Sequence, residues 1–329
     1  CATCHNISNP TQVEDVNTAP VHTFGHIERT YSEWVLSDYS QQGKEGTCQS
    51  CHYPVIEGGG QASRYGSLHR SYFVGHGPVG GSTWVQDATW AAWDGKDMDR
   101  EALDLAKKRT SELLKTAASL ELRFPERGRG VLRVTNLTGH KLPSGYPEGR
   151  RMWVNVKFFD AQGSLLKEVG KYDLKRDSIF GEAVEAPTLL DPEGTRVYEC
   201  LPGISEAQAK KFGKEAGKSF HFVLNDIIVK DNRIPPKGFK NSTFADHLSA
   251  PVGAEYADGQ YWDDVELEMP GGCVRVVASL MYQSVSWEYL KFLAEENRSD
   301  DWGRRLYEIW SRTGQCAPVA IATVEEAIR

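Results

Sequence analysis

Two pentapeptides in this sequence have the makings of a reactive site: Cys1-Ala-Thr-Cys4-His5 and Cys48-Gln-Ser-Cys51-His52. Cys-x-x-Cys-His is the attachment motif of c-type haem. Both thiols add to the haem vinyl groups as thioethers, and the adjacent imidazole becomes the proximal iron ligand. With 7 Cys and 9 His in 329 residues, chance produces such a pentapeptide about 0.004 times per chain. Two copies therefore point to chemistry. Other uses of the cysteines fit less well. One zinc closed between both pairs leaves the two flanking histidines unexplained. A thioredoxin-like pair belongs on a βαβ pattern, which this sequence lacks. A lipid on Cys1 would consume a thiol that the thioether needs. The motifs predict two haem c groups held by Cys1, Cys4, Cys48 and Cys51, with His5 and His52 as proximal ligands.

A haem with two histidine ligands needs a second imidazole, and seven histidines remain: His22, His26, His69, His76, His140, His221 and His247. His140 lies in Thr138-Gly-His-Lys-Leu-Pro-Ser-Gly145, a rigid loop that can present an imidazole without a helix. His69 follows the second motif, with Tyr72 and Phe73 suited to a haem edge, and His76 is its neighbouring rival. His22 and His26 are four apart, but Pro20 and Gly25 argue for a loop there. His221 alternates with Phe220 and Phe222 and reads as an outward position on a strand, and His247 reads as a loop residue. Met98, Met152, Met269 and Met281 read as packing residues; methionine ligation would raise a haem's potential relative to two histidines.

The elements that must position these groups fall into two parts. Residues 1–95 are rich in Gly, Ser, His and aromatics with little periodicity, as expected of a segment that wraps a cofactor. A short helix is expected over Arg29–Ser40, with Trp34 and Val35 against a haem. Residues 97–122 read as a helix, from Leu103, Ala106, Leu113, Leu114, Ala117 and Leu120, capped by Asp97 or Asp99. From Val131 the period becomes two, with strands at Val131–Thr135, Met152–Phe158, Leu165–Val169, Arg196–Cys200, Phe220–Val229 and Val274–Met281. Asp160–Gly163 reads as a hairpin turn. A short helix is expected at Ser205–Phe212, and the chain is expected to end in helices at Trp287–Glu296 and Trp302–Arg312. The fold class is α+β: a loop- and helix-rich dihaem region, 1–125, packed on a β-sandwich with terminal helices, 126–329.

Composition bounds the rest. A net charge of -7 with no long basic run argues against nucleic acid. No stretch approaches the ~18 apolar residues of a membrane span. The sequence opens on a cysteine with no visible signal peptide, as a processed or trimmed product would. Haem attachment of this kind takes place outside the cytoplasm, so a periplasmic or extracellular location is expected, where disulfides are permitted. Of Cys200, Cys273 and Cys316, at most one pair can form, and Cys273 with Cys316 is the expected one.

Several further runs carry a resemblance. They are Glu28-Arg-Thr-Tyr-Ser-Glu-Trp34 with Ser37, Thr47-Cys-Gln-Ser-Cys-His-Tyr-Pro54, and His69 with its Phe73-Val-Gly75 tail. The others are Gly139-His-Lys-Leu-Pro-Ser-Gly-Tyr-Pro-Glu-Gly-Arg-Arg-Met-Trp153, Lys230-Asp-Asn-Arg-Ile-Pro-Pro-Lys-Gly-Phe239 and Tyr256-Ala-Asp-Gly-Gln-Tyr-Trp262. With the two haem motifs, the sequence resembles multihaem c-type cytochromes of bacterial respiratory chains over nearly its whole length. The resemblance implies His69 and His140 as distal ligands, leaving His76, His26 and His22 as alternates, and a β-rich domain that lends His140 to a haem. The chain departs from the family at Tyr53, where Met is common, and in its two motifs, where many relatives have more.

The function expected is electron transfer through two haems, probed against two alternatives. One is a subunit of a larger multihaem assembly or extracellular cytochrome filament. The other is a haem enzyme acting on peroxide, nitrite or hydroxylamine at an open iron; an electron carrier is preferred over an enzyme. Arg150 and Arg151 are candidates to pair with haem propionates. The acidic surface favours a redox partner with a basic docking face, and a homo-oligomer is an open alternative.

Overall fold

The computed structural model describes residues 1–9, 25–53, 55–61, 63, 65–66, 68–71, 73–75, 77–126 and 128–328, without the side chains of Asn9, His26 and Lys44. Helix and antiparallel sheet are both prominent, and the fold is α+β.

The cysteine-rich part is built from short pieces. The strand Ile7–Asn9 pairs with Gly25–Glu28. A helix, Thr30–Val35, follows, then 3₁₀ turns at Asp38–Gln41 and Gly43–Gly46 and the helix Cys48–His52. The expected helix over Arg29–Ser40 therefore breaks after Val35. An arm leaves the second motif as a narrow hairpin, with Val55–Ile56 against Phe73–Val74 and Gly60–Gln61 against His69–Arg70. Two further helices, Val85–Ala92 and Arg100–Leu114, complete the region. The second is capped by the Asp99 carboxylate, which accepts from the Ala102 amide at 3.1 Å.

That helix ends eight residues before the sequence pattern suggested. Ala118–Glu126 is a strand, antiparallel to Arg129–Asn136. Leu120, Leu122 and Phe124 turn inward while Ser119, Glu121 and Arg123 face solvent. The spacing of Leu113, Ala117 and Leu120 fits a helix as well, and the available sheet partner decides the outcome. The hairpin also straddles the expected 125/126 boundary, so a cut there would separate paired strands.

Two antiparallel sheets share one core. One has the order Ala118–Glu126, Arg129–Asn136, Trp262–Glu268. The other runs Leu165–Val169, Arg151–Phe159, Arg275–Gln283, Val319–Ala327, with Val197–Tyr198 also pairing on Arg151–Phe159. Leu122, Leu132 and Val134 from the first meet Val154, Val156, Phe158, Val276, Ala278, Leu280 and Ile321 from the second. Each such side chain contributes roughly 1.5–3 kcal/mol on burial.

The terminal helices occur at Trp287–Glu296 and Trp302–Arg312 as expected, but the chain then returns as the strand Val319–Ala327. It forms the sheet edge beside Arg275–Gln283, with Val319, Ile321 and Val324 turned to the core across a register shift. The expected strand over Phe220–Val229 is instead a turn followed by Ile227–Asp231, and the hairpin Tyr172–Ile179 with Glu182–Leu189 had no counterpart in the sequence reading. Trp84, from the cysteine-rich part, packs with Trp287 and Trp310 of the terminal helices, and its indole donates to Thr313 Oγ1 at 2.8 Å. No helix among the described residues is long and apolar enough to cross a membrane.

Candidate functional site

In the second motif, Thr47 caps a single helical turn by accepting from the Ser50 amide at 3.3 Å. That turn places Cys48, Cys51 and His52 on one face, because residues three and four apart are helical neighbours. His52 is fixed at two points by Val79. Its Nδ1 donates to the Val79 carbonyl at 2.8 Å, and its own carbonyl accepts from the Val79 amide at 2.7 Å. A carbonyl only accepts, so the proton sits on Nδ1 and the Nε2 lone pair is free for a metal.

The ring of His140 stands opposite. The centres of the His52 and His140 rings are 6.3 Å apart, with planes 30° apart. Two metal–imidazole bonds of about 2 Å, plus about 1.2 Å from nitrogen to ring centre on each side, sum to about 6.4 Å. At this separation His52 and His140 could together ligate one iron. His140 Nδ1 donates to the Lys141 carbonyl at 2.9 Å, which again leaves Nε2 free. Burial pushes its pKa below the usual histidine range, favouring the neutral, ligating form.

A buried charge network holds the His140 loop. Asp231 accepts from Lys141 Nζ at 2.6 Å and from Arg233 Nε and Nη2 at 2.8 and 2.7 Å. Arg233 Nη2 also lies 3.1 Å from Glu33. The other Glu33 oxygen accepts from the Lys141 amide at 3.0 Å and from Ser144 Oγ at 2.7 Å. Lys141 and Glu33 have no exposed side-chain surface. Burial alone would push the Asp231 carboxyl up, but Arg233 and Lys141 hold it well below the usual carboxylate range. Thr30 Oγ1 adds a contact to Ser144 Oγ at 2.8 Å and accepts from the Gly145 amide at 3.0 Å. The loop's glycines are required here. Gly145 has a φ of +89°, and a Cβ on Gly139 would sit 3.1 Å from the Trp34 ring. Finally, Asn136 Nδ2 donates to the carbonyls of His140, Ile234 and Pro235.

These contacts give roles to residues that the sequence reading quoted without one. Glu33 comes from the Glu28–Trp34 run and Asp231 and Arg233 from the Lys230–Phe239 run. Nothing local in either run marks these side chains as partners, since they meet across 90 or more residues of chain.

The first motif forms a turn in which the Cys4 and His5 amides donate to the Cys1 carbonyl at 3.1 and 2.9 Å. This again groups two thiols and an imidazole. His5 Nδ1 lies 3.1 Å from Glu28 Oε1. Burial raises the Glu28 pKa, against the opposing pull of His5. The four motif cysteines are free thiols, with Cys1, Cys4 and Cys51 exposed. Both sites thus have what haem c attachment needs: two available thiols and an imidazole held through Nδ1.

The remaining candidates are scattered. His69 is exposed on the arm, opposite Gln61. His22 and His76 lie outside the described residues, as does the His26 side chain. His221 packs edge-on against Phe292, 4.8 Å between centres, on a turn instead of a strand. His247 is exposed and bonds the Thr243 carbonyl at 3.0 Å. Met152 is core. Arg151 is buried and turned to Gln283 and Glu288, so its guanidinium is engaged within the protein; Arg150 donates to the Ser144 carbonyl at 2.9 Å. The expected Cys273–Cys316 disulfide is absent. Cys273 points to the Arg275 carbonyl, whereas Cys316 lies beside Ser284 in a different cluster. Among the described residues no group of three or more His, Cys, Asp or Glu side chains is arranged to hold a metal ion by itself.

No family model and no curated protein matches the sequence. Among solved structures, the fold is similar to that of a penta-heme cytochrome c552 from Thermochromatium tepidum, at a TM-score of 0.52 and 15% identity. All of this chain is covered, and it spans 55% of that chain. The likeness is one of fold.

Proposed function

We propose that this chain is a c-type cytochrome that binds one haem at each Cys-x-x-Cys-His motif and transfers single electrons. The observation that carries the reading is the His52–His140 pair, 6.3 Å apart on the face where Cys48 and Cys51 also lie. Cys48 and Cys51 would hold that haem covalently, and His52 and His140 would ligate its iron. Cys1, Cys4 and His5 would hold the other, with its sixth ligand among His69, His76, His26 and His22. The likeness in fold to a penta-heme cytochrome supports the same assignment. The haems would supply the redox change, and the chain would fix their ligands.

An iron with two histidines has no open position, so the second site is an electron-transfer site in this reading. The haems require attachment outside the cytoplasm, hence an exported protein. The net charge of -7 favours a transient partner with a basic face. Low-temperature EPR of the oxidised protein, with haem content measured on the same sample, tests the assignment. Two haems and two low-spin signals support the carrier. A stoichiometric high-spin signal means an open iron and turns the reading toward small-molecule chemistry at that haem. One haem or none overturns it.

A further inference from the structure

The two proximal histidines differ in what their Nδ1 protons meet. His52 donates to a peptide carbonyl, that of Val79, at 2.8 Å. His5 meets a carboxyl oxygen, that of Glu28, at 3.1 Å. Glu28 is only 7% exposed, although it lies at the end of a three-residue ribbon. Its place is built. The ribbon pairs it with Ile7, and the buried Arg29 ties the ribbon by donating to the carbonyls of Ile7 and Glu28 at 2.8 and 3.0 Å. Burial pushes the Glu28 carboxyl up and Glu33 adds to that push, while His5 and Arg150 favour the charged carboxylate.

A carboxylate is a stronger acceptor than a peptide carbonyl. Drawing the Nδ1 proton away makes the imidazole a better donor to iron and stabilises the ferric state, and a nearby negative charge in a poorly solvated site acts in the same direction. Resting on the haem reading above, we infer that Glu28 is a positioning residue that selectively lowers the reduction potential of the haem on His5, while the haem on His52 has no such control. The chain thereby sets its two sites apart through the partner of the proximal histidine.

The test is a spectroelectrochemical titration of the haem-loaded full chain and of Glu28→Gln, with His140→Ala as a marker for the other site. Glu28→Gln keeps the size of the side chain and removes the charge. The expected result is a rise in one potential by about tenfold in the reduction equilibrium, or about 59 mV for one electron, with the second unchanged. His140→Ala should move the second and leave the first. If Glu28→Gln does not take up haem, Glu28→Asp is titrated instead, where a longer contact should give a smaller shift of the same sign. Both potentials unchanged, or both moved equally, overturns the inference. A wild-type protein without two haems overturns the underlying reading instead, which haem content decides before any potential is measured.

Discussion

The loop carrying His140 and the turn carrying His5 are both short and irregular, yet different forces hold them. The His140 loop is anchored through Lys141 and Ser144 to a buried set of charges reaching from Glu33 to Asp231 and Arg233. His5 is held by one side-chain contact to Glu28 and by a two-stranded ribbon. The difference follows from where each ligand starts. His5 and its cysteines are neighbours in sequence, so local geometry suffices. His140 is brought to His52 from the sheet-rich part, and its position depends on contacts across the molecule. A ligand delivered over that separation needs a stiff support, because a shift of one ångström would lose the bond.

The sharpest way to break the comparison is to remove the delivered ligand. His140→Ala should convert one low-spin haem to high-spin, seen in EPR as a stoichiometric signal, while the haem on His5 keeps its spectrum. Persistence of both low-spin signals would show that another residue serves the second site. The next test removes the anchor. Asp231→Ala leaves Lys141 and Arg233 buried with no shared carboxylate, and breaking such a pair costs about 3–5 kcal/mol. Chemical denaturation should show that loss, and EPR should show a broadened signal for the second haem only. The native pairing also sets an acid limit. Since the folded Asp231 pKa is depressed, its stabilisation is complete above the ordinary carboxylate pKa of about 3.9 and is lost as pH falls through the folded value.

Glu148 sharpens the contrast between paired and unpaired buried carboxyls. It continues the same loop and is 3% exposed; one of its oxygens has no hydrogen-bond partner, its bonding partners Tyr146 and Asn225 are neutral, and among the described residues no cation pairs with it. Burial pushes its pKa up to about 7. The sign is therefore opposite to that of Asp231. Stability is complete below the unfolded pKa of about 4.3 and is lost as pH rises through about 7, by up to about 4 kcal/mol. Glu148→Gln should match the wild type near pH 4 and exceed it near pH 9 in denaturant midpoints. Equal pH dependence in the two proteins would show that the carboxyl is ionised at neutral pH.

Much of this arrangement was legible where function is local. The cysteine motifs are contiguous in the sequence, and the helices Trp287–Glu296 and Trp302–Arg312 have the bounds that their apolar spacing implies. Strand Ala118–Glu126 was not legible, because Leu113, Ala117 and Leu120 satisfy a helix until Arg129–Asn136 is there to pair with. The charge network could not be read at all from one sequence. Lys141 lies 108 residues from Glu33 and 90 from Asp231, and neither spacing carries a local signal. The same limit hid the partners of His5 and His52, since the Glu28 and Val79 contacts are set by chain crossings 23 and 27 residues away.

The smallest expected effect asks whether the neutral part of the anchor matters beside the charged part. Thr30 opens the helix Thr30–Val35 and touches the loop through a single hydroxyl, which meets Ser144 Oγ at 2.8 Å and the Gly145 amide at 3.0 Å. Thr30→Val keeps the shape and removes both contacts. Ser144 retains Glu33, so only the Gly145 amide is left without its acceptor. A loss of about 1 kcal/mol in denaturant midpoint is expected, with the spin state of the second haem unchanged. If the variant instead yields a mixture of spin states, the hydroxyl is part of what aims His140, and the loop is held by the whole contact set. If neither quantity moves, Glu33, Asp231 and Arg233 alone keep the ligand in place.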